Sequence, residues 1–223
     1  MKQSLRFIFL IVLCTIFVAV SDNTIAAIPE ACNAPNVGGT AELPAACPFI
    51  APDDVMYIID GLPSGTTIKC VPRFGEFWAI IRTPGGPLGG EAEEFNSTLA
   101  LDMTGTGTLA GWHRLINIPA QCRIDAAHRI PGISPQSIDL DFSRIQGQLL
   151  PGDPDFDLLR IVAGTAFGMP SPGHVTLTKL PSGEWNVDSF FDIIYRIDFV
   201  GAPGGPLAGK SGSTTGTIRW QQG

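Results

Sequence analysis

The stretch Phe191-Asp192-Ile193-Ile194-Tyr195-Arg196-Ile197-Asp198-Phe199 alternates apolar side chains with charged ones, with a single exception at its fourth position. A period of two places the apolar side chains on one face of an extended strand and the charged ones on the other. Residues 99–103 and 138–143 repeat the pattern. These segments predict half-buried antiparallel strands.

Two phrases bracket this stretch, and each occurs twice in the chain. Leu-Pro-Ser-Gly stands at 62–65 and 180–183, and Pro-Gly-Gly-Pro-Leu stands at 84–88 and 203–207. Proline and glycine supply the φ angles that tight turns need, and helical periodicity is absent, which disfavours an α/β sheet. We therefore predict an all-β protein. It would be an antiparallel β-sandwich or barrel over 55–223, with related halves at about 55–118 and 135–223.

The segment between these halves, 119–134, is predicted to be a long connection with room for one short helix at 120–129. Residues 28–54 are rich in proline, alanine and glycine and show little periodicity. We expect them to form an N-terminal segment stapled by a disulfide.

The first 27 residues have the layout of a cleaved secretory signal. Lys2 and Arg6 precede an apolar run over 7–20, and small residues follow it. The run is shorter than the roughly 20 residues that cross a bilayer. We expect a secreted, periplasmic or cell-surface protein with no transmembrane segment after cleavage. The net charge of −7 disfavours nucleic acid as a partner, because an acidic surface repels phosphates.

Four cysteines follow the predicted cleavage site, and an even number in an exported chain indicates disulfides. Of the three possible pairings we favour Cys32–Cys47 with Cys70–Cys122. The first would close a loop with little core of its own and contribute roughly 3 kcal/mol in the entropy model. Zinc is disfavoured, because no Cys-x-x-Cys pair occurs and the three histidines are scattered.

Two motifs resemble ligand sites. Residues 204–211 match the phosphate-loop pattern, but 212–220 has the character of a final strand where a phosphate loop requires a helix. We interpret 204–211 as a turn. The alternating carboxylates of Asp153, Asp155 and Asp157 suggest calcium, although the glycine and glutamate of an EF-hand loop are missing. The competing interpretation is a turn in which these side chains cap backbone N–H groups.

The tryptophans are candidate stacking platforms for sugar rings. Trp185 follows a turn and is expected to be exposed, whereas Trp78 stands in an apolar run and is expected to be buried. His113, His128 and His174 are interpreted as structural, since no Gly-x-Ser-x-Gly or His-Glu-x-x-His motif accompanies them.

Three strings carry a resemblance to a known group of proteins: Asp-Pro-Asp-Phe-Asp-Leu-Leu-Arg at 153–160, Ser-Phe-Phe-Asp at 189–192, and the segment 201–216. Together they resemble uncharacterised, β-rich secreted proteins of environmental bacteria, which carry such segments beside surface-anchoring or secretion signals. The resemblance covers roughly residue 60 to the C-terminus. It implies an exported β domain and supplies no activity or functional residue.

The favoured function is a non-enzymatic structural, adhesive or binding module for an extracellular polymer or protein. One alternative is a calcium-assisted carbohydrate-binding module that uses Asp153, Asp155, Asp157 and Trp185. Another is a polysaccharide hydrolase with a pair of catalytic acids, since such an enzyme needs only two suitably separated carboxylates.

Overall fold

The computed structural model describes residues 31–223, so the predicted signal segment 1–27 lies outside the described residues. Within this range the chain forms thirteen strands and two 3₁₀ turns of three residues each, at Gly107–Leu109 and Thr165–Phe167. The strands are β1 (Cys32–Ala34), β2 (Asn36–Val37), β3 (Thr40–Ala41), β4 (Phe49–Ile50), β5 (Met56–Ile58), β6 (Ile68–Pro84), β7 (Gly89–Gly105), β8 (His113–Ala127), β9 (Gln136–Gln148), β10 (Phe156–Ala163), β11 (Pro172–Lys179), β12 (Trp185–Gly201) and β13 (Ser211–Gln222). Every pairing between them is antiparallel. The predicted all-β class is confirmed.

The main sheet closes on itself. Strands β6, β7, β8 and β9 pair in sequence order, β10 joins β9 to β12, and β12 pairs with β13. Strand β4 then completes the ring between β13 and β6. Strand β11 continues the line of β10, because it also lies between β9 and β12. The result is the barrel-like form of the predicted architecture.

The alternation in sequence sets the two faces of this closed sheet. Along β12, every second residue from Trp185 to Gly201 is buried, as the period-two pattern predicts. Aromatic rings from several strands fill the interior. Phe74 stacks on Trp220 at 4.9 Å between ring centroids, and Phe142 lies 4.4 Å from Phe191. Such rings dominate the energetics of β cores, so the interior is a packed core.

The repeated phrases form turns. Leu-Pro-Ser-Gly links β5 to β6 and β11 to β12, and Pro-Gly-Gly-Pro-Leu links β6 to β7 and β12 to β13. The strand between the two turns has 17 residues in both copies. A common origin of the two halves remains a prediction.

The N-terminal segment is partly built into the closed sheet, because its strand β4 completes the ring between β13 and β6. The predicted disulfide Cys32–Cys47 is present. Strand β1 pairs with β12. Arg82 donates from Nε to the Leu43 carbonyl at 2.7 Å, and Arg129 donates to the Ala41 carbonyl at 2.5 Å.

The predicted Cys70–Cys122 disulfide is wrong. Among residues 31–223 these two buried cysteines bond to no other sulfur. Cys70 pairs with Met103 of β7, and Cys122 pairs with Phe95 of the same strand. Eight residues of β7 separate those positions, roughly 27 Å, whereas a disulfide requires Cα atoms within about 7 Å. Burial raises the pKa of both thiols, that of Cys70 to about 12, and a protonated thiol is a poor nucleophile.

The predicted connection over 119–134 is also wrong, because β8 continues to Ala127. Pro119 interrupts the pattern in sequence, yet its missing N–H is tolerated within the strand, opposite Thr98. The alternating buried residues of β8 run through it without a break: Ile116, Ile118, Ala120, Cys122, Ile124 and Ala126. Between residues 31 and 223, no helix has the length and apolar character needed to cross a membrane.

Candidate functional site

Two irregularities in β6 direct a tryptophan to the outer face. The register of β6 against β7 shifts on both sides of Trp78. Glu76 and Ala79 adopt positive φ angles of 56° and 53°, a conformation that costs a non-glycine residue about 1–2 kcal/mol. The extra residues change which side chains face inward. Phe77 and Ile80 pack against the core, whereas Trp78 is 44% exposed.

A row of amide side chains continues from Trp78 across the sheet. Trp78 lies opposite Asn96 of β7, which lies opposite Gln121 of β8, which lies opposite Gln146 of β9. Their neighbours along each strand face the core: Phe95, Ser97, Ala120, Cys122, Ile145 and Gly147. We name the outer-face set Trp78, Asn96, Gln121 and Gln146 the amide row. It carries no formal charge.

The next row along the strands begins with Ile81 of β6, which is 62% exposed and lies opposite Glu94, and continues with charged side chains that are paired with one another. Glu94 lies opposite Arg123, and Arg123 lies opposite Arg144. Arg123 contacts the Asp125 carboxylate at 2.9 Å and the Glu94 carboxylate at 3.4 Å, and Arg144 approaches Glu94 at 3.8 Å. These contacts offset most of the local charge beside the amide row.

A groove of about 970 Å³ lies elsewhere on the same outer face, over β6, β7 and β8. Its floor includes Val71, Asp102 and Leu115, which are directly opposite one another on the three strands. Leu115 is 72% exposed, and Val71 and Tyr57 are also exposed. The loop around Asp53 forms one wall. The groove therefore combines exposed apolar side chains, Val71 and Leu115, with charged ones that include Asp102 on the floor and Asp53 on the wall.

A smaller pocket of about 290 Å³ connects the groove toward the amide row. It shares Arg73, Ala100 and Asn117 with the groove and adds Thr98 and Glu76. On β7, positions 102 and 96 are six residues apart, which corresponds to roughly 20 Å. The groove, the smaller pocket and the amide row thus lie in sequence along one face of three strands.

The groove wall is fixed to β12 and β13 by side-chain hydrogen bonds. The backbone N–H of Tyr57 donates to Tyr195 Oη at 3.0 Å. Thr214 Oγ1 accepts from the N–H groups of Ile59 at 3.0 Å and Asp60 at 2.9 Å. The carboxylate of Asp54 accepts from the backbone N–H of Arg219 at 3.2 Å. The wall is thereby anchored to the strands that close the sheet.

The calcium interpretation of the acidic turn is not supported by the geometry. One Oδ of Asp153 accepts from the N–H groups of Asp155 at 2.9 Å and Phe156 at 3.1 Å. The Arg114 guanidinium contacts the other carboxylate oxygen of Asp153 at 2.7 Å, and it also contacts the Asp155 carboxylate. Asp157 is exposed. Within residues 31–223, no group of three or more metal-ligating side chains is present, and an arginine occupies the position a cation would take.

The expected roles of two tryptophans are reversed. Trp185 is 0% exposed and opens β12, so it cannot stack on a ligand from outside. The sequence could have predicted this burial, because Trp185 lies an even number of residues from Phe191 and Phe199 and so shares their face of the strand. Trp78 was expected in the core and is the exposed one. The exposure of Trp78 could not be predicted, because the bulges that cause it place Glu76 and Ala79, rather than glycines, at positive φ.

The phosphate-loop match is a turn followed by the final strand, as predicted. Lys210 Nζ donates to the Pro206 carbonyl at 3.0 Å, and β13 begins at the next residue. Two of the histidines contact aspartates: His113 lies 2.6 Å from Asp102 and His174 lies 3.2 Å from Asp139.

One pair of acids is directly opposite in register, Asp125 and Asp141. Burial raises the pKa of Asp141, nearby Asp125 raises it further, and a hydrogen bond from Thr165 opposes the increase. Asp125 is almost fully buried and accepts two N–H groups from Arg123. A substrate would have to displace that arginine, so this pair does not favour the hydrolase alternative.

The described residues form a closed antiparallel sheet that carries a groove and an exposed tryptophan on its outer face. Comparisons of the chain with protein-family models, curated proteins and solved structures found no match.

Proposed function

We propose that the protein is an exported, non-enzymatic binding module that holds an extended extracellular polymer against the outer face of β6, β7 and β8. The observation that carries this proposal is the groove over the row Val71, Asp102 and Leu115. Ligand sites are commonly concave, with apolar lining and a few polar groups. Leu115, at 72% exposure, is available to an incoming ligand at little structural cost.

Rigidity of the face supports the same proposal. The three strands are long, the groove floor at Val71, Asp102 and Leu115 lies in a regularly paired part of them, and the groove wall is anchored by Thr214 and Tyr195. A surface that is already ordered loses little conformational entropy on binding. The ligand contacts can therefore be made mainly by side chains, without a folding step.

Export is supported by two independent features. The first 27 residues have the basic and apolar layout of a secretory signal. The disulfide Cys32–Cys47 agrees with an oxidising compartment, where such bonds persist. An extracellular polymer or the cell surface is the partner that this location offers.

The experiment is retention on insoluble polymers, measured as depletion of the mature protein from solution by cellulose, chitin, pectin gel and collagen fibrils. We expect retention on at least one polymer and loss of that retention in Leu115→Glu, which places a charge on the groove floor. Ile130→Glu is the matched control, because Ile130 is also an exposed apolar residue and lies outside the groove. Absence of retention on all four polymers, or equal retention of Leu115→Glu, would refute the proposal.

A further inference from the structure

The position of Trp78 is maintained against a local energetic preference. Two non-glycine residues with positive φ flank it, Glu76 and Ala79, and each costs about 1–2 kcal/mol. A regular strand would avoid that cost and would alternate without interruption from Phe74. The bulges leave a large aromatic side chain 44% exposed on the outer face, outside the hydrophobic core. Bulges that redirect a side chain are characteristic of functional surfaces.

The amide row matches the chemistry of an uncharged sugar chain. Asparagine and glutamine each supply a carbonyl acceptor and an NH₂ donor, which suits hydroxyl groups that both donate and accept. Adjacent strands lie about 4.8 Å apart, close to the length of one pyranose unit in an extended polysaccharide. Trp78, Asn96, Gln121 and Gln146 thus span roughly 14 Å at one side chain per sugar unit.

The charge distribution selects a neutral polymer. The chain has a net charge of −7, which repels acidic polysaccharides and nucleic acids. The arginines nearest the row, Arg123 and Arg144, are already paired with acids. A protein partner would require an extended apolar centre around the tryptophan; Ile81 of the next row adds one exposed apolar side chain, and the positions that follow Trp78 in its own row are amides.

We infer that the amide row is a polysaccharide subsite, in which the exposed indole of Trp78 stacks on one pyranose ring and Asn96, Gln121 and Gln146 hydrogen-bond the hydroxyls of successive units of a neutral glycan. This inference rests on the proposed function and names its ligand class. The row and the groove share one outer face, so a single polymer surface contacts both.

The test is binding of the mature protein to neutral and charged polysaccharides. Cellulose, chitin and mannan are the neutral probes, and pectin and alginate are the acidic ones. Trp78→Ala is expected to weaken binding to the neutral probe that retains the wild type by roughly tenfold, as for loss of one aromatic contact, and Trp78→Phe should retain most of the binding. Gln121→Ala tests the hydrogen-bonding part. Phe167→Ala is the control, because Phe167 is exposed to a similar extent, 39%, on a turn away from the row.

A spectroscopic readout separates contact at Trp78 from general effects. Trp185 and Trp220 are buried and Trp112 is partly buried, so the part of the acrylamide quenching that Trp78→Phe removes from the native protein reports on Trp78. A neutral oligosaccharide should reduce that quenching in wild type and leave Trp78→Phe unchanged.

The outcomes distinguish this inference from the proposed function. Loss of binding to the neutral polysaccharide in Trp78→Ala, together with normal binding of Phe167→Ala, supports the inference. Wild-type binding of Trp78→Ala together with loss in Leu115→Glu overturns the inference and leaves the proposed function standing, as does retention on collagen or acidic polymers alone. Absence of binding to every polymer overturns both.

Discussion

The hydroxyl group of Thr214 joins the residues that follow β5 to β13, a junction that we call the seam. In the closed sheet, β5 pairs with β6 on one side, and its continuation meets β13 through Thr214 Oγ1. That oxygen accepts from the N–H groups of Ile59 and Asp60, at 3.0 and 2.9 Å. The side chain is almost fully buried. Thr214→Val keeps the shape of the side chain and removes the acceptor.

The expected cost follows from the two backbone donors that lose their partner. An unsatisfied buried donor costs about 1–3 kcal/mol. Ile59 is half exposed, so water replaces part of the lost interaction, and the lower end of the range applies to each donor. We therefore expect Thr214→Val to lose about 2 kcal/mol of unfolding free energy. For a domain of this size the melting temperature would fall by about 4–8 °C.

Thr214→Ser is the matched control, because it keeps the hydroxyl and removes one methyl group, worth about 0.8 kcal/mol. Urea unfolding of the three proteins measures the free energies, and amide hydrogen exchange locates the change. Protection should fall at Ile59 and Asp60 in the valine variant and stay unchanged at Leu99 in the middle of β7. If Thr214→Val is as stable as wild type, or less damaging than Thr214→Ser, the hydroxyl does not hold the seam.

Three further predictions concern backbone strain, the disulfide and a buried acid. Ala79→Gly should raise the unfolding free energy by about 0.5 kcal/mol, because glycine adopts a positive φ without strain. Ala100→Gly, in a regular strand, should lower it. Urea unfolding measures both values, and a lower unfolding free energy in Ala79→Gly would contradict the strain at this position. Replacing both Cys32 and Cys47 by alanine should lower the unfolding free energy by about 3 kcal/mol, because the disulfide closes a loop with a separation of 15 residues. An unchanged melting temperature would show that the other contacts of the N-terminal segment hold it in place without the disulfide. Burial raises the pKa of Glu93 from 4.5 to about 7, opposed by a nearby arginine, so the folded state binds the proton more tightly and the wild type loses stability as the pH rises through that interval. Glu93→Gln should remove this loss, on the order of 3 kcal/mol, so its advantage in urea should be large at pH 8 and small at pH 4.5; an equal difference at both values would contradict the raised pKa.

The strands were predictable because one face of a closed sheet is buried along its whole length. Burial on one side imposes a period of two, and that period is visible in β7, β9 and β12. The same parity places Trp185 in the core. The wrong expectation for Trp185 came from its position after a turn, a weaker signal than parity with Phe191.

The outer site was not predictable, because the bulges that create it lack the usual sequence signal. A positive φ is readable when a glycine supplies it, but β6 uses Glu76 and Ala79. Without the bulges, Trp78 would fall on the inner face, as expected from the apolar run. The amide row also depends on the register of four strands, and no local pattern links Asn96 to Gln146.

The two predicted disulfides rested on different reasons, and only the one with a structural reason is present. Cys32 and Cys47 are close in sequence and close a loop without its own core, so the pairing had a physical reason. Cys70 and Cys122 were paired only because they remained. Each lies in a long strand whose place is set by hydrogen bonding, and β7 separates them. Apolar burial alone accounts for both thiols.

Closure of the sheet restricts how a partner can bind. An open sheet can add a strand from another protein at its free edge. Among the described strands, β7 is paired with β6 on one side and β8 on the other, so strand addition at β7 would first have to break existing pairs, whereas β6 beyond Gly75 and β8 before Ala120 pair with β7 alone. Over β7, which lies under both the groove and the amide row, contact must therefore come from side chains on the outer face. On that face the groove floor and Trp78 expose apolar surface that serves no core, and for this reason we place the polymer there.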